Sequence, residues 1–400
     1  MEKVYILGVG QTDRGFFPDL DMVDLCQEAA FSALTDAGLE MAEVKHVWLG
    51  HYPPTSDMQF TAGQVVVDAL GISVQAACTV VEEACATSGH AMHNAFLGIA
   101  SGVHDLVLVL GATKYADSFS WANPVSESGY GVLSYLVGVT LRLDQVYDYM
   151  KKYGVNEEDI YNYYRTQYWY AVRNPKGIVY GKSVPEREDF ERVPYDSYPF
   201  RFGTVGAVQV DGASALVLGS ERVSRKRPER RVELAAMVIK EESSYGPHGV
   251  QYYADSCGPT RFPIGDLQPY HQYSLEAAWR EALKMAKVEP GDFDIFQPHE
   301  AAIGMSWDHL DMLGHPDIPF GQGAKWYGQG QAMPTGRLPC GTAGIFKAGY
   351  VMGAIGLDYV IENVHQLREE AGERQCPLKN YLAASVVSPQ RPNIAIVRKV

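Results

Sequence analysis

The sequence predicts an α/β protein built from two like halves with an insertion between them. Three observations carry this. A helix–strand unit recurs late in the chain, strands and helices alternate around each copy, and residues 147–198 break the pattern with a different composition. The first copy starts at Glu28 (EAAFSALTDAGLEMAEVKHVWLG) and the second at Glu276 (EAAWREALKMAKVEPGDFDIFQP). One inserted residue brings Leu34 onto Leu283, Leu39 onto Val288 and Val47 onto Phe296. Self-similarity at such a separation indicates two half-domains of like fold, not a short-period solenoid.

Val4 to Val9 reads as a buried strand that ends among glycines. Asp21 to Ala37 is an amphipathic helix, with Val23, Cys26, Ala29, Ala30, Ala33 and Leu34 on one face and Gly38 as its stop. Val44 to Leu49 is the next strand. Within the insertion, rich in Tyr, Asn, Pro and charge, Asn156 opens a helix whose first turn is acidic. Long insertions in compact domains usually serve function. Val208 to Ser220 returns to strand. Arg222 to Arg231 reads as a solvated basic connection.

The 400 residues suffice for two core-sized units, and 46% hydrophobic with 20% charged residues is ordinary for a globular chain. A formal net charge of −14 argues against a nucleic-acid surface. The six cysteines are scattered without a CxxC or a metal spacing. No apolar run approaches roughly 18 residues, so no membrane span is expected. The first ten residues read as a strand and turn. A reducing cytoplasm is the expected setting.

The chemistry centres on Val81 to Gly102 (VEEACATSGHAMHNAFLGIASG). Cys85 sits among small residues before an apolar helical stripe of Ala91, Ala95, Phe96 and Ile99. A helix N-terminus favours thiolate over thiol, which makes Cys85 a candidate nucleophile. A small buried core thiol is the competing reading. In the second half IFQPHEAA, residues 295–302, ends a strand and places His299 and Glu300 where ligands of α/β folds gather.

These stretches, in this order, resemble the thiolase superfamily, in its sterol-carrier-type branch. The nucleophile loop ACAT at 84–87, the strand after Ser101, the DGASA strand at 211–215 and TAGIFKAGYVMGAIG at 342–356 all match. The resemblance implies a duplicated thiolase fold of two βαβαβαββ halves in a five-layer α/β/α/β/α arrangement. Residues 1–115 with 201–225 would form the first half and 226–400 the second. Residues 116–200 would be the loop domain that covers the coenzyme A site. His299 and Glu300 fall on the first two positions of the family's NEAF or HDCF loop. Gly349 and Gly353 fall in register with the family's glycines and would lie at the coenzyme A site. Gly314-His315-Pro316 spells a family signature in the wrong context and reads as a turn.

The departures from the pattern are specific. Tyr350 stands where the family has histidine, Ala301 where this branch has a second cysteine, and the late C-x-G cysteine is missing at 385–389. Tyr350 would donate to a thioester oxygen, though a phenol of pKa near 10 is a poor base. Cys340, just before the motif glycines, is the expected replacement acid or base, with a buried structural thiol as its alternative. The resemblance implies a thiolase that cleaves a 3-oxoacyl-CoA through an acyl-Cys85 intermediate. Coenzyme A is a substrate, with no permanently bound cofactor and no metal.

The altered motifs with the Tyr- and Trp-rich insertion resemble the thiolase subunits of benzoylsuccinyl-CoA thiolases, which suggests an aromatic acyl group. A homodimeric core and a small zinc-ribbon/OB-fold partner subunit are expected. Two other readings stay open. One is a thiolase-fold retro-aldolase on a steroid side-chain CoA ester, since those enzymes also have tyrosine in place of the histidine. The other is a non-catalytic acyl-CoA-binding subunit.

Overall fold

The structure, a computed structural model, describes residues 2–52, 61–114, 146–201, 203–204, 206–241, 273–388 and 391–400. Residues 116–145 of the expected loop domain, and Cys257, lie outside these.

The repeat seen in the sequence folds twice in the same way. Helix α1 (Met22–Ala37) leads through a 3-10 turn at Met41–Glu43 into β2 (His46–His51). The helix Tyr273–Ala286 leads through a 3-10 turn at Pro290–Asp292 into the strand Ile295–Gln297. The correspondence reaches the caps. Gly38 and Lys287 end their helices at φ +61° and +58°. Glu40 with Glu43, and Glu289 with Asp292, form the same capping box. Glycine takes the left-handed cap at no cost. The second half holds it with a lysine.

Around these units the first half arranges β1 (Val4–Gln11), β2, β3 (Ala77–Val81), β4 (Leu106–Thr113) and β5 (Gly212–Ser220) in the order β3-β2-β4-β5-β1. The second half repeats that order in mirror as β6 (Val232–Ile239), β9 (Asn393–Lys399), β8 (Leu382–Val387) and β7 (Ile295–Gln297). A parallel bridge from Phe296 to Cys340 stands where a third strand would pair with β7. The halves join at Tyr5–Glu233 and Ile6–Val232, where β1 meets β6.

Strand alternation sorts the core into layers, because successive side chains face opposite ways. Tyr5, Leu7, Val47, Leu49, Leu108 and Leu110 pack under α1 and α2 (Ala62–Ala69). Val4, Ile6, Val107 and Val109 face the other way onto α3 (Thr87–Ala100). The same middle cluster takes in the helix Ile355–Leu367 and the inward residues Ile295, Ala383, Ala395 and Val397 of the second half. Phe296, Ala384, Ile394 and Ile396 face outward, under the helices Tyr273–Ala286 and Ile303–Met312. The result is the five-layer α/β/α/β/α arrangement.

The two middle helices touch through residues without side chains. A Cβ on Gly356 would sit 2.7 Å from the backbone nitrogen of Gly89. Both helices therefore begin at one place, and the candidate site lies there. From the insertion, α4 (Glu157–Ala171) packs on the outer face of the second half, its cap Asn156 accepting from the Glu158 N–H at 2.9 Å. For the remaining helices we use α5 for Tyr273–Ala286, α6 for Ile303–Met312 and α7 for Ile355–Leu367.

Candidate active site

Between β3 and α3 the chain makes one 3-10 turn, Ala84–Ala86. Ala84 is held at φ +48°, a left-handed conformation that costs a non-glycine residue energy. Local bonds hold the turn. The Ala84 N–H donates to Glu82 Oε1 at 2.8 Å, and the Glu83 N–H donates to Thr87 Oγ1 at 2.7 Å. Arg391 lies 3.3 Å from the Glu83 carboxylate. This turn presents Cys85 just ahead of α3, whose first N–H groups receive no side-chain cap. Cys85 is half-buried, and it packs against a buried cluster of Ala343, Ile345, Tyr350, Ile355, Tyr359 and Val387. The Cys85 side chain thus lies at the partly open edge of the cluster that contains Tyr350.

His299 follows β7, and α6 grips its peptide from both sides. The His299 N–H donates to His309 Nδ1 at 3.0 Å, and Ser306 Oγ donates to the His299 carbonyl at 3.1 Å. Burial pushes the His309 imidazole down to about 3, so the ring is neutral. Because Nδ1 accepts, the proton of His309 sits on Nε2. The next peptide is held by α7, with the Glu300 N–H donating to the Tyr359 hydroxyl at 2.8 Å.

Tyr350 is fully buried, and its hydroxyl lies 3.4 Å from His299 Nε2. A short extended stretch, residues 206–210, sets that spacing. The Ala207 N–H donates to Ala301 O at 3.1 Å. On the other side the Tyr350 N–H donates to Val208 O at 2.7 Å, and the Val210 N–H donates to Tyr350 O at 3.2 Å. One strand-like segment therefore ties the His299 loop to the Tyr350 loop.

Cys85 packs against the cluster that contains Tyr350, and the Tyr350 hydroxyl lies beside the His299 ring. Cys340 belongs to the outer cluster with Trp326, Tyr327 and Phe346, and its thiol donates to Leu338 O at 3.1 Å. Burial pushes that thiol well above its ordinary range. A buried thiol that holds its proton so firmly favours the alternative reading of Cys340 as a structural residue.

Gly349 and Gly353 are closely enclosed by protein. A Cβ on Gly353 would meet Ala112 O at 2.1 Å, and one on Gly349 would meet Val210 Cγ2 at 2.9 Å. Protein leaves little room for a side chain at either position. Gly314 does form a turn, at φ +70°. Its neighbour His315 is buried beside Trp326.

Ser306, His309 and Tyr359 orient the site, and sequence reasoning missed them. A signal existed for the first two. A serine and a histidine three apart share one face of helix α6. The tyrosines of α4 are taken up in packing, Tyr161 and Tyr164 on Phe190 and Tyr163 on Trp307, Tyr327 and Phe346. Lys347 is buried over the rings of Phe346, Tyr164 and Tyr168, and burial pushes its ammonium down to about 7. A cleft of about 650 Å³ runs along α7 beside Arg173, Lys176, Lys182, His365 and Arg374, away from Cys85. Among the described residues no three His, Cys, Asp or Glu side chains are placed to hold a metal ion, and no helix is long and apolar enough to cross a membrane.

Comparison with known proteins agrees with this geometry. Residues 5–157 match the thiolase N-terminal domain and residues 265–386 the thiolase C-terminal domain-like family. The acetyl-CoA acetyltransferase of Methanothermobacter thermautotrophicus is 27% identical over 94% of this chain and 93% of its own. The benzoylsuccinyl-CoA thiolase subunit BbsB of Thauera aromatica is 25% identical over 94% of this chain and 90% of its own. Bovine sterol carrier protein 2 is 26% identical over 94% of this chain and 68% of its own.

Among solved structures, the Ltp2–ChsH2(DUF35) aldolase superposes with a TM-score of 0.77 at 18% identity, covering 99% of this chain and 98% of that one. Human mitochondrial 3-ketoacyl-CoA thiolase does so at 0.67 and 15%, covering 100% and 99%. At these identities the likeness is one of fold. With both of its domain families matched in chain order, and relatives aligned over nearly its full length, this chain belongs to the thiolase superfamily and stands among its acyltransferases.

Proposed function

We propose that the protein is a degradative thiolase that cleaves a 3-oxoacyl-CoA with coenzyme A. The observation that carries this reading is Cys85 on a strained turn ahead of α3, packed against the cluster that holds Tyr350, whose hydroxyl reaches the His299 ring. Cys85 Sγ attacks the keto carbon. The bond between the α and β carbons breaks, and its electron pair stays on the shorter acyl-CoA, which takes up a proton. The acyl group left on Cys85 passes to the thiol of free coenzyme A. His299 carries the proton, since its loop is held at both peptide groups while its ring faces the phenol. Tyr350 and the Cys85 N–H stabilise charge on the substrate oxygen.

Coenzyme A enters as substrate, and the insertion 116–200 serves as its cover between halves 1–115 with 201–225 and 226–400. Likeness to BbsB supports an aromatic 3-oxoacyl-CoA. The α4 tyrosines lend that no further support, because they are spent on packing. A small zinc-ribbon/OB-fold partner accords with BbsB being named a subunit and with the two-part name of the aldolase structure. A homodimeric core accords with the half-exposed strand β3 at the sheet edge. A cytoplasmic setting accords with Cys78, Cys340 and Cys376 being free thiols.

Intact-mass measurement after incubation with acetyl-CoA and with benzoyl-CoA tests the reading. The expected result is one acyl group per chain, lost in Cys85→Ala. Carbon–carbon cleavage that survives Cys85→Ala would overturn it in favour of the retro-aldolase. Tyr350 in place of the family histidine is the observation that keeps this second reading in view. Tight acyl-CoA binding with no acylation and no cleavage would mark a non-catalytic subunit.

A further inference from the structure

The buried face of α4 carries three polar side chains at helical spacing, Tyr163, Gln167 and Tyr170, all shielded from solvent. Each meets a different loop of the second half. The Tyr163 hydroxyl lies 2.9 Å from Ser306 Oγ, and Ser306 Oγ donates onward to the His299 carbonyl at 3.1 Å. A serine hydroxyl has one proton, and here it is spent on His299, so Tyr163 is the donor and the chain runs Tyr163 to Ser306 to His299.

One turn further, the Gln167 amide and the Glu300 carboxyl meet over Gly341. A Cβ at Gly341 would fall 2.1 Å from Glu300 Oε1 and 2.5 Å from Gln167 Nε2. Burial pushes the Glu300 carboxyl well above its usual range, and the Gln167 amide opposes this from a looser approach than a regular hydrogen bond. Tyr170 donates to Ala332 O at 2.7 Å.

We propose that Tyr163 and Gln167 are positioning residues for the His299–Glu300 loop, so that the insertion sets the geometry of the site from behind as well as covering it. This rests on His299 acting at the Cys85 site. The side chains do not touch the reacting atoms. They act through Ser306 and Glu300, the one fixing the His299 peptide and the other filling the space behind it. Misplacement of a proton carrier by a fraction of an ångström is felt in the chemical step and not in ligand binding.

Tyr163→Phe tests this, because it keeps the ring and its edge contacts with Trp307, Tyr327 and Phe346 and removes only the hydroxyl. Two readouts are followed: the rate of Cys85 acylation by acetyl-CoA and benzoyl-CoA, and the titration of the His299 imidazole by NMR. Acylation is expected to slow about tenfold, with the half-saturating acyl-CoA concentration changed by less than about twofold. The proton affinity of the His299 ring should change about threefold as its contact with Tyr350 shifts. Ser306→Ala should reproduce both effects, and the double variant should be no worse than either single one. Tyr161→Phe, on the same helix but facing Phe190, should move neither readout. Unchanged acylation and titration in Tyr163→Phe, or equal changes in Tyr161→Phe, would overturn the proposal. If neither acyl-CoA labels the wild type, the reading of the site fails separately, and the His299 titration alone decides the positioning.

Discussion

The hydroxyl of Tyr350 and Nε2 of His299 lie 3.4 Å apart, with the two rings 5.9 Å between centroids and inclined at 72°. The contact is long for a hydrogen bond and edge-on in geometry. A phenol is a hydrogen-bond donor, and the imidazole stands beside it. Under the proposed function the phenol supplies a donor to the substrate oxygen and not a base.

Tyr350→Phe should therefore lower kcat by about 100-fold through loss of an oxyanion donor. KM for the acyl-CoA should change little, because the donor matters most once charge develops on oxygen. Steady-state kinetics of thiolysis check this. A change confined to KM would assign Tyr350 to ligand binding.

Cys85→Ser should retain the fold, since the side chain is half-buried on a turn whose bonds come from Glu82, Glu83 and Thr87. Its thiolysis should fall by about 10⁴-fold or more, as for other covalent nucleophiles. Circular dichroism and intact-mass labelling separate the two statements.

Glu300→Gln should raise stability at alkaline pH. In the folded chain Glu300 holds its proton well above the ordinary carboxylate range, because it is buried. The unfolded chain releases that proton near pH 4.5. Between those two points the native state binds the extra proton, so stability falls as pH rises. The neutral amide removes this slope. Denaturant midpoints should show a gain for the variant at pH 8 that shrinks toward pH 4.5. A gain that grew toward acid would reverse the sign and the assignment.

Gly353→Ala should destabilise the chain by about 1–3 kcal/mol through overpacking. The added Cβ would fall 2.1 Å from Ala112 O, against a strand that cannot move aside, and would disturb the 2.7 Å bond from the Gly353 N–H to Thr113 Oγ1. Urea unfolding with an unchanged m value measures it. A glycine kept for ligand contact would instead show a raised KM with normal stability.

Local pattern determined a good deal of this protein. The repeat of Glu28 to Gly50 at Glu276 to Pro298 was legible because a helix, its cap and the next strand are all written within about 25 residues, where periodicity and turn chemistry act. The stripe behind Cys85 was legible for the same reason. The surroundings of Cys340, Gly349 and Gly353 were not, since register along the chain says which residues are near a loop and nothing of which way a side chain points. Only the tertiary structure turned the Cys340 thiol to the outer face, set Ser306 and His309 of α6 on either side of the His299 peptide, and brought α4 in behind the loop. The last of these joins residues far apart in sequence, Tyr163 and Ser306 being 143 positions apart. That contact is decided by which faces remain to be buried once the two halves have closed on α3 and α7, and no local signal encodes the choice.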